Sequence, residues 1–261
     1  MTGLFCGGVV KYNVRYLLIF LLLLPISVNA SSWLVYNLDS DSMVTGSDHD
    51  VQRPIASITK MFTAVAVLES GVNLFEKIPV KGKSNGRIPL NSQVTRIDLL
   101  RLMLVASDNR AADSLAHAHP GGYSQFIADI NEQIKKEGLE KTSIVDASGI
   151  MSGNVSTAQD LVKFASNLRR YPLLLDIASA PKDSFELNTK RKPITISYNN
   201  TNPDISKYDG LLFSKTGFTS AAGRCLLLLF KQGNELFGIV VLGEKNVVNR
   251  SKTISKLVTL M

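Results

Sequence analysis

The hydrophobic period of this chain changes twice along its length, and that change restricts the possible folds more than any other feature of the sequence. Residues 32–38 and a shorter piece around Val44 read as a hairpin, joined by the turn Asp39-Ser40-Asp41-Ser42. Pro54 then introduces a helical stretch. Ile58, Met61, Phe62, Val65 and Leu68 recur at helical spacing and Gly71 supplies a stop, which predicts a buried helix over residues 57–70. Thr95 with Asp98 three residues on marks a second helix start, whose apolar positions Leu99, Leu100, Met103 and Leu104 run up to a polar break at Ser107. Helix resumes near Arg110. Phe126, Ile127, Ile130 and Ile134 define a further amphipathic helix ending at Gly138, and Ser156 with Gln159 reads as a capping box for the next.

In the last third the period becomes that of strands, over residues 184–198, 211–215, 224–230 and, beyond the turn Gln232-Gly233-Asn234, 235–242. Residues 247–261 close the chain with Val247, Val248, Ile254, Leu257, Val258 and Met261 set against Arg250, Lys252 and Lys256. That pattern suits a terminal helix packed on a sheet, with a membrane-surface helix as the alternative. No repeat, low-complexity tract or linker interrupts the chain, so a single α/β domain is expected over residues 31–261.

The first thirty residues read as an export signal. Lys11 and Arg15 precede an apolar run over residues 17–24, Pro25 breaks it, and Val28-Asn29-Ala30 offers small residues for cleavage after Ala30. An uncleaved anchor is disfavoured, because even residues 16–28 fall short of the roughly 20 that a spanning helix needs. Cys6 leaves with the signal and Cys225 remains, so no internal disulfide is available and Cys225, in an apolar run, reads as a small core residue. The domain must therefore stand on its core, for which 45% hydrophobic residues suffice. The formal charge of +7 falls to +5 once Lys11 and Arg15 are set aside. The basic groups Lys81, Lys83 and Arg87, and Lys190, Arg191 and Lys192, carry no interleaved aromatic ladder or zinc-finger spacing, so nucleic acid is not an expected partner.

Three short constellations follow one another: Ser57-Ile58-Thr59-Lys60, Ser107-Asp108-Asn109 and Lys215-Thr216-Gly217. Each alone is weak, since Ser-x-x-Lys recurs at Ser179 and Ser-x-Asn at Ser27, Ser152 and Ser197. Context separates them, because Ser57 starts a buried helix, Ser107 sits in a helix break and Lys215 ends a strand. A serine hydroxyl needs a base within hydrogen-bond reach, and a lysine three residues on shares its helix face. That lysine works only when neutral, which burial and a second cation such as Lys215 bring about. Helix N-terminal amides would receive the oxyanion formed when Ser57 attacks a carbonyl. Other schemes fit less well. No Gly-x-Ser-x-Gly elbow occurs, Gly82-Lys83-Ser84 lacks the earlier glycine of a phosphate loop, and His117 and His119, two apart, lack a third metal ligand. The chemistry calls for no metal or cofactor.

In this order and setting the three motifs resemble the penicillin-recognising serine peptidases and β-lactamases. Together with Arg53-Pro54-Ile55-Ala56, Arg110-Ala111-Ala112, His119-Pro120-Gly121-Gly122-Tyr123, Asn200-Thr201-Asn202 and Phe218-Thr219, they resemble the D-alanyl-D-alanine endopeptidases of the penicillin-binding protein 7 type. The resemblance implies an α/β fold with a five-stranded antiparallel sheet flanked by helices, and a periplasmic enzyme that cuts peptidoglycan cross-links and is acylated by β-lactams. It implies Ser57 as nucleophile, Lys60 as its base, Ser107 and Asn109 as proton relay and amide-binding wall, and Lys215, Thr216 and Gly217 as the carboxylate site. The amides of Ser57 and Phe218 would form the oxyanion hole.

Two departures sharpen this reading. Class A β-lactamases of similar fold carry a Glu-x-x-x-Asn segment that activates a deacylating water, whereas here neither Glu137 nor Glu140 is followed by Asn four residues on. A penicillin target is therefore expected rather than a β-lactamase. Similar carboxypeptidases commonly add a β-rich C-terminal domain, and here 44 residues follow Gly217, enough for two strands and the closing helix. Endopeptidase is the expected activity and D-Ala-D-Ala carboxypeptidase the alternative. A non-catalytic wall-binding adaptor is a third reading, against which every motif position is filled.

Overall fold

The computed structural model describes residues 1–3, 31–189 and 191–260. The expected export signal with Cys6, and Lys190 of the second basic run, lie outside them. Strands β1 (Ser32–Asn37) and β2 (Ser42–Ser47) form the expected hairpin, whose turn is held by Asn37 Oδ1 accepting from the amides of Asp39 and Ser40 at 3.0 Å each. The short β3 (Arg53–Pro54) leads into a 3-10 turn, Ala56–Thr59, and then α1 (Lys60–Glu69). The helix thus begins three residues later than its apolar spacing indicated. Ser57 lies in the tight turn and Lys60 opens the α-helix. The short strands β4 (Lys77–Pro79) and β5 (Gln93–Thr95) pair with each other, and Thr95 caps α2 (Arg96–Val105) by accepting from the Asp98 amide.

Asp108 caps α3 (Asn109–His117) in the same way, accepting from the Ala111 amide, and α4 (Gly122–Lys136) follows. After β6 (Val155–Ser156), which pairs with β3, comes α5 (Ala158–Asn167). The cap of α5 is Thr157, accepting from the Asp160 amide, rather than Ser156, whose hydroxyl is engaged with Thr142 at 2.7 Å. A further helix, α6 (Pro172–Ser179), has proline at its first position, where no amide hydrogen is needed. The apolar residues expected as one long strand fold back as β7 (Lys182–Leu187) and β8 (Ile194–Asn199), a separate two-stranded sheet. Strands β9 (Leu211–Thr219), β10 (Gly223–Gln232) and β11 (Glu235–Glu244) precede the closing helix α7 (Val247–Val258).

The main sheet is five-stranded and antiparallel in the order β2-β1-β11-β10-β9, as the resemblance implied. The first hairpin therefore pairs with the last strand, with Trp33 opposite Val241, so the first and last described strands share one sheet. Alternation along the strands splits the apolar residues between two faces. Leu227, Leu229, Val240 and Leu242 join the large core beneath the helices, while Leu226, Leu228, Ile239 and Val241 pack under Ile254 and Leu257 of α7. Cys225 is buried in the first of these cores. Helix α1 runs through the large core with residues 60 to 67 all buried and the Phe62 ring stacked on Phe164 at 4.1 Å. An almost fully apolar helix with one lysine at its head is the element on which the site is built.

The head of α1 is clamped by the chain around Gly149. This glycine has φ +84° and lies so close to the 3-10 turn that a Cβ there would stand 2.0 Å from the Ala56 carbonyl oxygen. Gly149→Ala should therefore lower stability by about 3 kcal/mol or more in urea denaturation and slow acylation of the nearby serine, because the turn must move. Gly71 has φ +65° with open space around it, so Gly71→Ala should cost only about 1 kcal/mol. Equal losses at the two positions would show that the clamp is not tight.

Candidate active site

Lys60 is fully buried, and its Nζ donates to Ser57 Oγ at 2.9 Å, to Asn109 Oδ1 at 2.7 Å and to the Ser148 carbonyl oxygen at 2.5 Å. Burial pushes this amine down to about 7 from the ordinary lysine value, against the opposing charges of Asp146, Asp108 and Asp113. Lys215 is equally buried and donates to Ser107 Oγ at 2.9 Å and to the Thr216 carbonyl at 3.0 Å. Its amine is held well below the usual range by burial first, then by the charges of Lys60 and Arg250. Two buried amines thus each touch a serine hydroxyl. All three motifs converge here from α1, the α2–α3 break and β9.

The break between α2 and α3 puts Ser107 at φ +58°, a left-handed conformation uncommon for a side-chain-bearing residue, so the hydroxyl is delivered at some conformational cost. Cap Asp108 holds this corner. Its Oδ1 accepts from the Ala111 amide at 2.9 Å and its Oδ2 from the Arg87 amide at 2.7 Å. Strand β9 is an edge strand and runs against the Ser57 turn, where a Cβ on Gly217 would stand 2.9 Å from the Ile55 carbonyl and 3.0 Å from the Ser57 amide nitrogen. Glycine at 217 lets the third motif approach the first this closely. Thr216 Oγ1 shares a 2.6 Å hydrogen bond with Thr201 Oγ1, and Asn202 donates to Ser214 Oγ at 2.9 Å, so the 200–202 segment is tied to β9.

A cleft of about 510 Å³ opens above these groups, lined by Ser57, Ser107, Thr216 and Phe218 together with Arg224, Val247 and Arg250. The Phe218 ring is half exposed, with the Arg224 guanidinium 3.7 Å above its centroid. A separate cleft of about 480 Å³ beside α1 and α4 is lined by Glu69, His119, Asp129 and Tyr171 and holds none of the three motifs. The second Ser-x-x-Lys stays apart from the site. Ser179 ends α6 and donates to the Asp176 carbonyl, whereas Lys182 lies exposed on β7.

Several contributors escaped the motif reading. Asp146 folds its carboxylate back onto its own loop, Oδ1 accepting from the amides of Ser148 at 2.8 Å and Gly149 at 2.7 Å and Oδ2 from that of Met151 at 2.8 Å. Asn154, also buried, accepts from the amides of Val145 and Asp146 and donates to Thr59 Oγ1 at 3.0 Å. This loop is what aims the Ser148 carbonyl at Lys60. Arg250 is buried although its sequence pattern set it with the basic residues opposite the apolar stripe. Its position three after Val247 and four before Ile254 is the signal that would have found it, since that spacing places it on the inward helix face.

Chemically, a hydroxyl beside a neutral amine is a nucleophile with its base, and cations lining the same cleft suit an anionic substrate group. Residues 23–246 match the D-alanyl-D-alanine carboxypeptidase family of peptidases. The D-alanyl-D-alanine endopeptidase of Escherichia coli is 36% identical over 225 residues, covering 82% of this chain and 71% of that one. That of Pseudomonas aeruginosa is 34% identical over 221 residues, with 82% and 71% covered. Among solved structures, penicillin-binding protein D2 of Listeria monocytogenes in its ampicillin-bound form has 27% identity and a TM-score of 0.78, over 89% of this chain and 96% of that one. With most of its length matched at this level, the chain belongs to the D-alanyl-D-alanine carboxypeptidase family of serine peptidases.

Proposed function

We propose that this chain is a periplasmic serine DD-endopeptidase, which cuts D-alanyl cross-links of peptidoglycan through an acyl-enzyme on Ser57 and is acylated by β-lactams. The observation that carries the reading is the buried Lys60 amine, 2.9 Å from Ser57 Oγ and lowered to about 7, so that much of it is neutral at physiological pH. Ser57 attacks the carbonyl carbon and its proton passes to Lys60. The oxyanion is received by the amides of Ser57 and Phe218, Asn109 lines the wall against the substrate amide, and the proton held by Lys60 passes through Ser107, itself held by Lys215, to the leaving amine as the C–N bond breaks. Water then attacks the peptidyl ester, its proton passing by way of Lys60 to Ser57 Oγ as the ester bond breaks. Lys215 and Thr216, with Arg250 beside them, read the carboxylate next to the scissile amide, and Gly217 keeps the strand close enough to do so.

Among the described residues no carboxylate is hydrogen-bonded to Ser57 or Lys60. Asp146, whose charge acts most strongly on Lys60, has both oxygens engaged by loop amides. A penicilloyl ester therefore meets no hydrogen-bonded carboxylate of the kind with which a β-lactamase activates water, which supports a β-lactam target. The endopeptidase names of the Escherichia coli and Pseudomonas aeruginosa relatives support the cross-link as substrate, while the family description supports trimming of terminal D-alanine as the second reading. Residues 1–30 act as the export signal and 31–261 as one catalytic domain. No described helix is long and apolar enough to cross a membrane.

Mass spectrometry after benzylpenicillin treatment should find one adduct, on the peptide containing Ser57, and Ser57→Ala should abolish it; persistent labelling would remove Ser57 from the mechanism. Lys215→Ala should slow acylation by both penicillin and peptide by about a hundredfold or more, since both present a carboxylate to it. Unchanged rates with both would leave that carboxylate unread by Lys215.

The pH dependence follows from the sign of the Lys60 shift. Its folded value lies below its unfolded one, so between about 7 and 10.5 the unfolded chain binds more protons there and stability rises with pH. Below that window the group is protonated in both states and its contribution is level. Acylation should rise through an inflection near 7. Urea denaturation of wild type and Lys60→Met should show the difference in stability moving in favour of the wild type from pH 7 to pH 10, by on the order of a few kcal/mol. A pH-independent difference would mean that Lys60 stays charged in the folded protein.

A further inference from the structure

The cleft does not end at the catalytic groups. Val247, the first residue of α7, lines both the cleft and a second, open groove of about 620 Å³ that runs between α7 and the loop carrying Asp204 and Lys207. Helix α7 bears Arg250, Lys252 and Lys256 and no acid. Lys252 and Lys256 are exposed in the groove, where they join Lys207. The one acid there, Asp204, is already engaged by Lys207 and by Ser251 Oγ at 2.6 Å. At the junction stands buried Arg250, whose Nε has no hydrogen-bond partner.

The chemistry of the proposed substrate gives this track an occupant. The carboxylate beside the scissile amide belongs to the leaving side of the bond, and its readers Thr216 and Arg250 line the same cleft as Val247. A carboxypeptidase releases a single D-alanine and needs nothing farther along. An endopeptidase releases a whole peptide stem, which carries further carboxylates beyond the cut. We propose that the groove along α7 is a subsite for this anionic leaving stem of a cross-link, with Lys252 and Lys256 as its specificity-determining cations. This inference rests on the endopeptidase reading. A bilayer is the poorer occupant, because Ile254 and Leu257 are spent on the sheet and the groove is left basic and serine-bearing, with Val247 and Val248 its apolar residues.

The test is charge reversal in the groove, with the full chain carrying Lys252→Glu and Lys256→Glu. Both side chains are exposed, and acylation by benzylpenicillin, which has no second stem, reports an intact catalytic centre. On a purified cross-linked muropeptide dimer, kcat/KM should fall about tenfold through KM, and the salt dependence seen with the wild type should flatten. Release of terminal D-alanine from a monomeric muropeptide should change less than twofold. The single variants Lys252→Gln and Lys256→Gln, each expected to lose about threefold on the dimer, decide the matter if the double variant does not fold. A wild type that cuts dimers while the folded variants cut them equally well, with the same salt dependence, overturns the groove and leaves the endopeptidase reading standing. A wild type that releases D-alanine and leaves dimers uncut overturns both. Sedimentation of the wild type but not the double variant with phosphatidylglycerol vesicles, at unchanged dimer turnover, overturns the groove in favour of a membrane surface.

Discussion

The structure is organised around one amine that has been taken out of water. Lys60 sits at the head of an otherwise apolar helix, fully buried, with acceptors for its Nζ from three different parts of the chain. Burial of a charged ammonium is costly, and the usual response of a protein interior is to let the group lose its proton. In the proposed mechanism that response supplies the neighbouring serine with its base. Packing and chemistry are therefore the same fact here, because the apolar residues that bury Lys60 also lower its affinity for a proton.

Keeping such an amine near neutrality takes a balance of charges around it. Burial drives the proton off Lys60, while Asp146, Asp108 and Asp113 pull it back, and the charge of Lys60 in turn lowers Lys215. None of these acids touches Lys60 by a hydrogen bond among the described contacts. Asp108 caps α3, and Asp146 gathers the amides of its own loop. Asp113 accepts from the Ser84 amide, so each acid is engaged by backbone donors elsewhere and acts on Lys60 through its field. The arrangement leaves Ser57 with a base but gives a trapped ester no second carboxylate to activate water.

The site also depends on strands meeting that are far apart in sequence. The first hairpin pairs with the last strand, and this closes the sheet whose edge strand carries Lys215. Helix α7 then covers the other sheet face with Ile254 and Leu257 and brings Arg250 to the lining of the cleft. The same helix that completes the core thus furnishes part of the site.

Local physics was legible in the chain. The Thr95 cap and the Gly71 and Gly138 stops all depend on interactions spanning a few residues, and they stand where the pattern set them. The three motifs were legible for the same reason, since a serine and a lysine three apart constrain each other within one turn. Where short-range rules competed, the pattern failed: Thr157 took the cap expected of Ser156, whose hydroxyl a distant threonine had claimed. What the sequence by itself determined was most of the helices, the strands of the main sheet and the three motifs that meet at the cleft. Only the tertiary structure decided that Ser148 would turn its carbonyl to Lys60, that Asp146 would turn away from it, and that Arg250 would be buried beside the cleft. Those outcomes arise from contacts between segments tens to hundreds of residues apart, where burial and close packing, not local propensity, set which polar group faces which.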